Sequence, residues 1–183
     1  ATTSTANTSV GSYSLTANID GLNIVAVGNA AMYESTLGNN NTAVGNDAGR
    51  FIRNNQNTAI GSAALRNDST GTNNVAVGYR ASFESDTASA VTAIGTDALF
   101  FNTLDSNVAV GYRAGRLANS NPIYPSKEQT FVGTFAGLGS FASSKNTAMG
   151  FRALAQTNAL GTSLDYTDGG RNTVIGDSAM AGG

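Results

Sequence analysis

A short apolar motif ending in glycine recurs along the whole chain at nearly constant spacing. Seven of the nine steps between successive glycines are 16 or 17 residues long. The ten glycines are Gly11, Gly28, Gly45, Gly61, Gly78, Gly95, Gly111, Gly133, Gly150 and Gly176. A unit this short is too small for a helical hairpin or a propeller blade, but it fits one coil of a β-solenoid. We therefore expect an all-β column of about ten coils, each with two short strands and two turns.

The residues before each glycine alternate in a way that predicts a strand. The residue directly before it is always large and apolar, as at Val44 and Ile60, and the third residue before it is always Thr or Val. A period of two is typical of a strand, because successive side chains point to opposite faces. We predict that these residues face the interior of the coil. The small residue between them, as at Ala43 and Ala59, is then expected to pack against a neighbouring column.

Two further positions carry one residue type down the chain. An alanine stands three residues after nine of the ten glycines, which predicts a second tightly packed layer. An asparagine opens most motifs, and stacked Asn side chains can hydrogen-bond along a ladder. We assign structural roles to these positions, namely to Asn41, Asn57, Asn74 and Asn107, to Gly45, Gly61, Gly78, Gly95 and Gly111, and to Ala48, Ala64, Ala81, Ala98 and Ala114.

The motif, for example Asn41-Thr42-Ala43-Val44-Gly45-Asn46-Asp47-Ala48, resembles the YadA-like head repeats of trimeric autotransporter adhesins. It is more similar still to the repeats of bacteriophage tail fibres that precede an endosialidase-type chaperone domain. This resemblance extends from about Asn7 to Ala181. It implies a left-handed parallel β-roll whose chains form a parallel homotrimer along their length. These coils are longer than those of the adhesin heads, and neither a chaperone domain nor a membrane anchor is recognisable in these residues.

Two steps of the repeat are longer than the rest. The steps from Gly111 to Gly133 and from Gly150 to Gly176 exceed 17 residues by 5 and 9. Insertions in repeat proteins emerge as loops, often on a binding face. Within one repeat domain spanning 1–183 we therefore predict loops near 115–129 and 155–171. We expect a sugar or surface polymer to contact Tyr124, Lys127, Asp165, Tyr166 and Asp168; the alternative is that the loops only bulge or cover an apolar gap.

Aromatic and arginine residues recur directly after the repeat glycine. Arg80, Arg113 and Arg152 follow Tyr79, Tyr112 and Phe151 in three matching units. We predict that these aromatic side chains form an outward stripe. Packing between chains is the favoured interpretation of that stripe, and a ligand site is the alternative.

The composition excludes several classes of function. The formal net charge is −2 and Lys and Arg form no run, so we expect no binding to nucleic acid or to an anionic membrane surface. These residues contain no apolar run that could span a membrane, so we expect no membrane insertion. The chain has no His and no Cys, which removes an imidazole base and a thiol nucleophile, and we expect no cofactor and no metal. Glycoside hydrolysis needs only two carboxylates, such as Asp165 with Asp168 or Glu84 with Asp86. Short loops on a narrow roll make a poor cleft, so we expect no enzyme.

These observations favour a structural and receptor-binding segment of a homotrimeric fibre, either a phage tail fibre or a surface adhesin. The expected location is extracellular, on a virion or a cell-surface appendage. The expected partners are further copies of the chain and a glycan or polymer of a host surface. The unfinished last repeat is expected for a proteolytically matured piece, for a fragment of a longer fibre, or for a subunit that stacks end to end. One alternative is a self-polymerising extracellular filament. Another is an ice-binding solenoid, against which we count the predicted inward orientation of the Thr row.

Overall fold

The computed structural model describes residues 6–117, 127–139, 144–155 and 171–180, and their regular secondary structure is all β. One parallel sheet contains ten strands in chain order. They are β1 (Thr8–Val10), β2 (Val25–Val27), β3 (Thr42–Val44), β4 (Thr58–Ile60), β5 (Val75–Val77), β6 (Thr92–Ile94), β7 (Val108–Val110), β8 (Thr130–Val132), β9 (Thr147–Met149) and β10 (Thr173–Ile175). The prediction of a parallel β-solenoid is thus confirmed.

Each strand pairs in register with the equivalent strand of the next repeat. Ala43 pairs with Ala59, and the same register continues across the long steps, where Val108 pairs with Thr130 and Thr147 with Thr173. The extra residues of the two long repeats therefore leave the alignment of the column unchanged.

The prediction of two strands per coil is wrong for the described residues, because each coil has one named strand of three residues. The rest of the coil turns tightly, since the second and fourth residues after each glycine have positive φ, as at Arg80 (51°) and Leu65 (46°). This left-handed conformation is unfavourable for β-branched side chains, and none of the twenty residues at these two positions is β-branched. Hydrogen bonds between coils nevertheless continue through the turns, for example from Leu65 N to Ala81 O at 3.0 Å.

The predicted orientation of the strands is also wrong. The central residues of the strands, such as Ala43, Ala59 and Ala76, are fully buried, whereas Ile60 and Ile94 are about two-fifths exposed. The alanine row therefore lines the interior of its own coil and does not meet a neighbouring column. The second alanine layer, which includes Ala48, Ala64, Ala81, Ala98 and Ala114, is fully buried in the same core. Between these two layers a coil this narrow has no room for a large residue at every strand position, so the large residues lie outside.

One coil shows how interior volume is conserved. At Phe131 a large ring replaces the central alanine and is fully buried. In the coil of Phe131 and in the preceding coil, the fourth residue after the repeat glycine is itself a glycine, Gly137 and Gly115 respectively. Other coils have leucine at this position, such as Leu65 and Leu99. A Cβ at Gly115 would lie 2.7 Å from Cδ2 of Phe131, and one at Gly137 would collide with the same ring. The phenyl group thus fills the space that a leucine fills elsewhere.

The repeat glycines lie where adjacent coils approach most closely. Gly78 has a φ of 134°, and a Cβ there would lie 2.7 Å from the carbonyl carbon and oxygen of Gly95 in the next coil. Only glycine tolerates both this conformation and this contact.

A buried asparagine ladder runs along the column from coil to coil, beside the strands. Asn41 Oδ1 accepts a hydrogen bond from the backbone N–H of Asn57 at 2.8 Å, and Asn57 Oδ1 accepts one from Asn74 at 3.0 Å. At Asn107 the side-chain oxygen accepts from the backbone of Gln129 at 2.9 Å. Each side chain thus replaces a backbone partner that the tight turn cannot supply.

Candidate binding surfaces

The first and third residues of the ten strands form one continuous outer surface, which we call the sheet face. It extends from Thr8 and Val10 at one end to Thr173 and Ile175 at the other. At strand spacing it is roughly 43 Å long, since nine steps of about 4.8 Å separate ten strands. Its large residues are exposed in six strands; for example, Val10 is 57%, Ile60 41%, Ile94 39%, Met149 45% and Ile175 68% exposed. In β2, β5, β7 and β8 the equivalent valines are only partly exposed.

The sheet face is unusual because its apolar residues are contiguous. Isolated exposed apolar side chains are common on soluble proteins, but a continuous apolar strip is typical of an interaction surface. The first row, in which Thr and Val are irregularly interspersed, flanks this strip. Thr58 is partly exposed and Val75 is 37% exposed. The Thr row therefore faces outward, so the predicted inward orientation, which counted against ice binding, is wrong.

A cluster of arginines lies on the turns beside the sheet face. Asp97, whose side chain is 2% exposed, forms an ion pair with Arg80 through two hydrogen bonds of 2.9 and 3.1 Å. Arg113 Nε and Arg116 Nε lie 3.5 and 3.6 Å from the same carboxylate. We call these three arginines the arginine cluster. Together with Asp97 these arginines come from three successive coils, and all three lie next to the same buried carboxylate.

Aromatic rings hold these guanidinium groups. The guanidinium carbon of Arg80 lies 4.8 Å from the centroid of the Tyr79 ring and 4.9 Å from that of Phe100. Arg113 lies 5.0 Å from Tyr112, and Arg116 lies 5.1 Å from Phe100. These distances are within the range of cation–π interaction. The contacts restrict the orientation of the guanidinium groups before any ligand arrives.

The predicted outward stripe is present. Tyr79, Tyr112 and Phe151 are 49%, 41% and 48% exposed, and Phe135 bridges the last two, with ring centroids 5.3 and 6.1 Å away. Whether these rings pack against another chain stays a prediction.

The carboxylates Glu84 and Asp86 line an open groove of about 370 Å³. Phe51, Arg53, Asn67 and Ser69 form the rest of its lining. Asp86 is engaged, because its carboxylate accepts a hydrogen bond from the Ser69 hydroxyl of the neighbouring coil. The groove therefore presents the ring of Phe51, the positive charge of Arg53 and two carboxylates. One of these carboxylates, that of Asp86, is already hydrogen-bonded to Ser69.

Of the predicted receptor-contacting residues, only Lys127 lies within the described residues. It is exposed, and its backbone N–H donates to Ser144 Oγ of the next coil at 3.1 Å. The other four, Tyr124, Asp165, Tyr166 and Asp168, lie outside the described residues. The carboxylate pair Asp165 and Asp168 therefore lies outside them as well.

The arginine cluster was not predicted from the sequence, because only positions that hold the same type of residue in successive repeats were recognised as rows. The second position after the glycine holds Arg80, Asp97 and Arg113 in three successive repeats. Reading that position down the column reveals a charge alternation, and Arg116 follows three residues after Arg113. The signal was therefore present, but only in the aligned repeats.

Comparisons with family models, with curated proteins and with solved structures find no match to this chain. The part of the chain that the structure describes contains no helix capable of crossing a membrane. In that part no group of three His, Cys, Asp or Glu side chains is placed to hold a metal ion. The fold and its surfaces are thus the basis for any statement about function.

Proposed function

We propose that this chain is a segment of an extracellular homotrimeric fibre that mediates attachment to a host surface, as in a phage tail fibre or a surface adhesin. The observation that carries the proposal is the sheet face, an apolar strip of exposed and partly exposed residues that continues over all ten strands. Burial of such a strip against other copies is favourable, at about 25 cal/mol for each Å² removed from water.

Parallel association explains why the strip is so regular. Rotation about an axis along the column brings the same residue of every copy to the same height. Ile60 then meets Ile60 and Ile94 meets Ile94, so that each rung forms one apolar layer. An antiparallel pair would instead place Val10 of one copy near Ile175 of the other, so equivalent residues would not meet at one height. These two end residues are also more exposed than the strip residues between them. The resemblance to trimeric fibre repeats favours three copies.

Solution mass tests this assembly directly. The chain has a mass of 18.5 kDa, so light scattering should give about three times that value at micromolar concentration. Ile60→Lys or Ile94→Lys should shift the mass towards the monomer, because three ammonium groups would meet at one apolar layer.

Leu37→Lys is the matched control, since Leu37 is 54% exposed but lies on a turn away from the sheet face. A monomeric wild type would contradict the trimer. A trimer that tolerates both isoleucine substitutions would place the interface elsewhere, and very long particles would favour the self-polymerising filament.

Attachment through the two insertion loops is the second part of the proposal. Trimming each loop to the length of a regular coil should preserve the trimer, because the strands on either side pair in register. Attachment to host cells or to a glycan panel should fall, with Tyr124 and Tyr166 as the stacking residues and Lys127, Asp165 and Asp168 as polar contacts. Undiminished attachment by a folded double deletion would restrict this segment to a shaft.

Ice binding is a second candidate function, because the Thr row lies on the outer side of the sheet. The two functions compete for the same surface. A monomer that produces thermal hysteresis would replace the fibre proposal, whereas a trimer without thermal hysteresis would remove ice binding.

A further inference from the structure

The arginine cluster carries more positive charge than its carboxylate balances. Arg80, Arg113 and Arg116 contribute three positive charges, and Asp97 contributes one negative charge. Among the described residues no other carboxylate lies within 4.0 Å of these three guanidinium groups. An excess of two positive charges is concentrated here, although the chain as a whole has a formal net charge of −2.

The hydrogen-bond donors of the cluster are only partly used. Asp97 takes two hydrogen bonds from Arg80, whereas its ion pairs with Arg113 and Arg116 run through Nε at distances too long for hydrogen bonds. Both Nε atoms are buried without a hydrogen-bond partner. The three arginine side chains remain 28–40% exposed, so part of each is accessible to solvent.

The guanidinium groups are also preorganised. The buried carboxylate anchors them from below and the rings of Tyr79, Phe100 and Tyr112 hold their planes. Rigid, weakly hydrated guanidinium groups bind oxyanions well because their fork of donors matches two oxygens at once. Tyr79 and Tyr112 are about half exposed and border the cluster, so each offers an aromatic surface on which a sugar ring can stack.

We infer that the arginine cluster is a binding site for an anionic sugar of a surface polysaccharide. The carboxylate or sulfate of the sugar receives hydrogen bonds from the arginines, and the sugar ring lies against Tyr79 or Tyr112. A nucleic acid fits less well, because its backbone needs a track of positive charge, whereas Glu84 and Asp86 follow Arg80 in the same coil. The site lies on the column and does not depend on the two insertion loops.

Binding of purified full-length protein to immobilised polymers tests the site. Polygalacturonate supplies carboxylates, dextran sulfate supplies sulfates, and neutral dextran is the uncharged reference. We expect wild type to bind at least one of the two anionic polymers and to ignore dextran. Arg113→Gln and Arg116→Gln should each weaken that binding about tenfold, the effect of losing one charge-assisted hydrogen bond. Arg66→Gln is the matched control, because Arg66 stacks on Phe51 and Phe83 but lies outside the cluster.

Two further measurements keep the test decisive if a variant fails to fold. Binding of wild type to the anionic polymer should weaken between 50 and 500 mM salt, because exposed charges are screened. The mass of each variant should equal that of wild type. The proposal is overturned if wild type binds neither anionic polymer, if salt has no effect, or if single-stranded oligothymidine binds more tightly. It is also overturned if Arg113→Gln dissociates the assembly and leaves polymer binding unchanged, since the cluster would then serve assembly.

Discussion

A buried aspartate should make the stability of the column depend on pH. Asp68 is 1% exposed and accepts hydrogen bonds from Gly71 N at 2.7 Å and Asn74 Nδ2 at 2.8 Å. Burial raises the pKa of its carboxyl from 3.8 to about 7; these two hydrogen bonds oppose the rise, and the nearby Asp86 adds to it. The equivalent position in other coils holds Asn18 or Asn102, so a neutral side chain fits this turn. Asp68→Asn is therefore the informative substitution.

The direction and size of the effect follow from linkage. The folded-state pKa lies above the unfolded value, so the folded protein favours the protonated form. The contribution of Asp68 to stability is therefore fully present below about pH 4 and is lost as the pH rises through about 7. A rise of about three pKa units corresponds to about 4 kcal/mol, of which about 3 kcal/mol is lost between pH 5 and pH 8. Asparagine avoids this loss but offers one acceptor fewer, which costs about 1 kcal/mol.

The assay compares unfolding of wild type and Asp68→Asn by circular dichroism in urea at pH 5 and pH 8. The stability of the variant relative to wild type should rise by about 3 kcal/mol between the two pH values. Asp20→Asn, which removes an exposed carboxylate, controls for the loss of one negative charge. If the difference between wild type and Asp68→Asn is the same at both pH values, Asp68 is ionised in the folded protein at pH 5 and the reasoning is refuted.

Two further predictions concern the interior. Phe131→Ala should lower the free energy of unfolding by about 3 to 5 kcal/mol, because it leaves a cavity. Adding Gly137→Leu should restore part of that stability, because leucine fills this space in other coils. If urea titration shows the double variant to be no more stable than Phe131→Ala, the two positions do not share this volume. Ala64→Leu or Ala98→Leu should lower the free energy of unfolding by about 1 to 3 kcal/mol, because it overpacks a fully buried layer. Melting temperatures equal to that of wild type would contradict this packing.

The number of coils and their register could be predicted from the sequence. The repeat glycine recurs because each coil approaches the next through its backbone, and this requirement is the same at Gly45, Gly78 and Gly111. The asparagine ladder recurs for a similar reason, because one side chain supplies one missing hydrogen bond per coil. Such requirements are local and repeat identically, so aligned repeats reveal them.

The candidate sites were predictable only in part. The exposure of Tyr79 and Tyr112 follows from their place directly after the repeat glycine. The convergence of Arg116 with Arg80 and Arg113 on Asp97 does not, because it depends on how far each turn projects from the column. A second, more exposed ladder was missed as well, in which Asn39 N donates to Asn55 Oδ1 at 2.8 Å and Ser89 N donates to Asp105 Oδ1 at 2.8 Å. Its members differ in residue type, so no single letter marks the row.

Which side of the strand faces inward was decided by the tertiary structure alone. Alternation along Thr58, Ala59 and Ile60 establishes two faces, and hydrophobicity suggests that the face with isoleucine is buried. The turns, however, close the coil so tightly that its interior accepts alanine at the centre of most strands and a large ring only at Phe131, where two glycines make room. The width of the coil therefore overrides the hydrophobicity of the side chain, and the larger apolar residues remain on the outside.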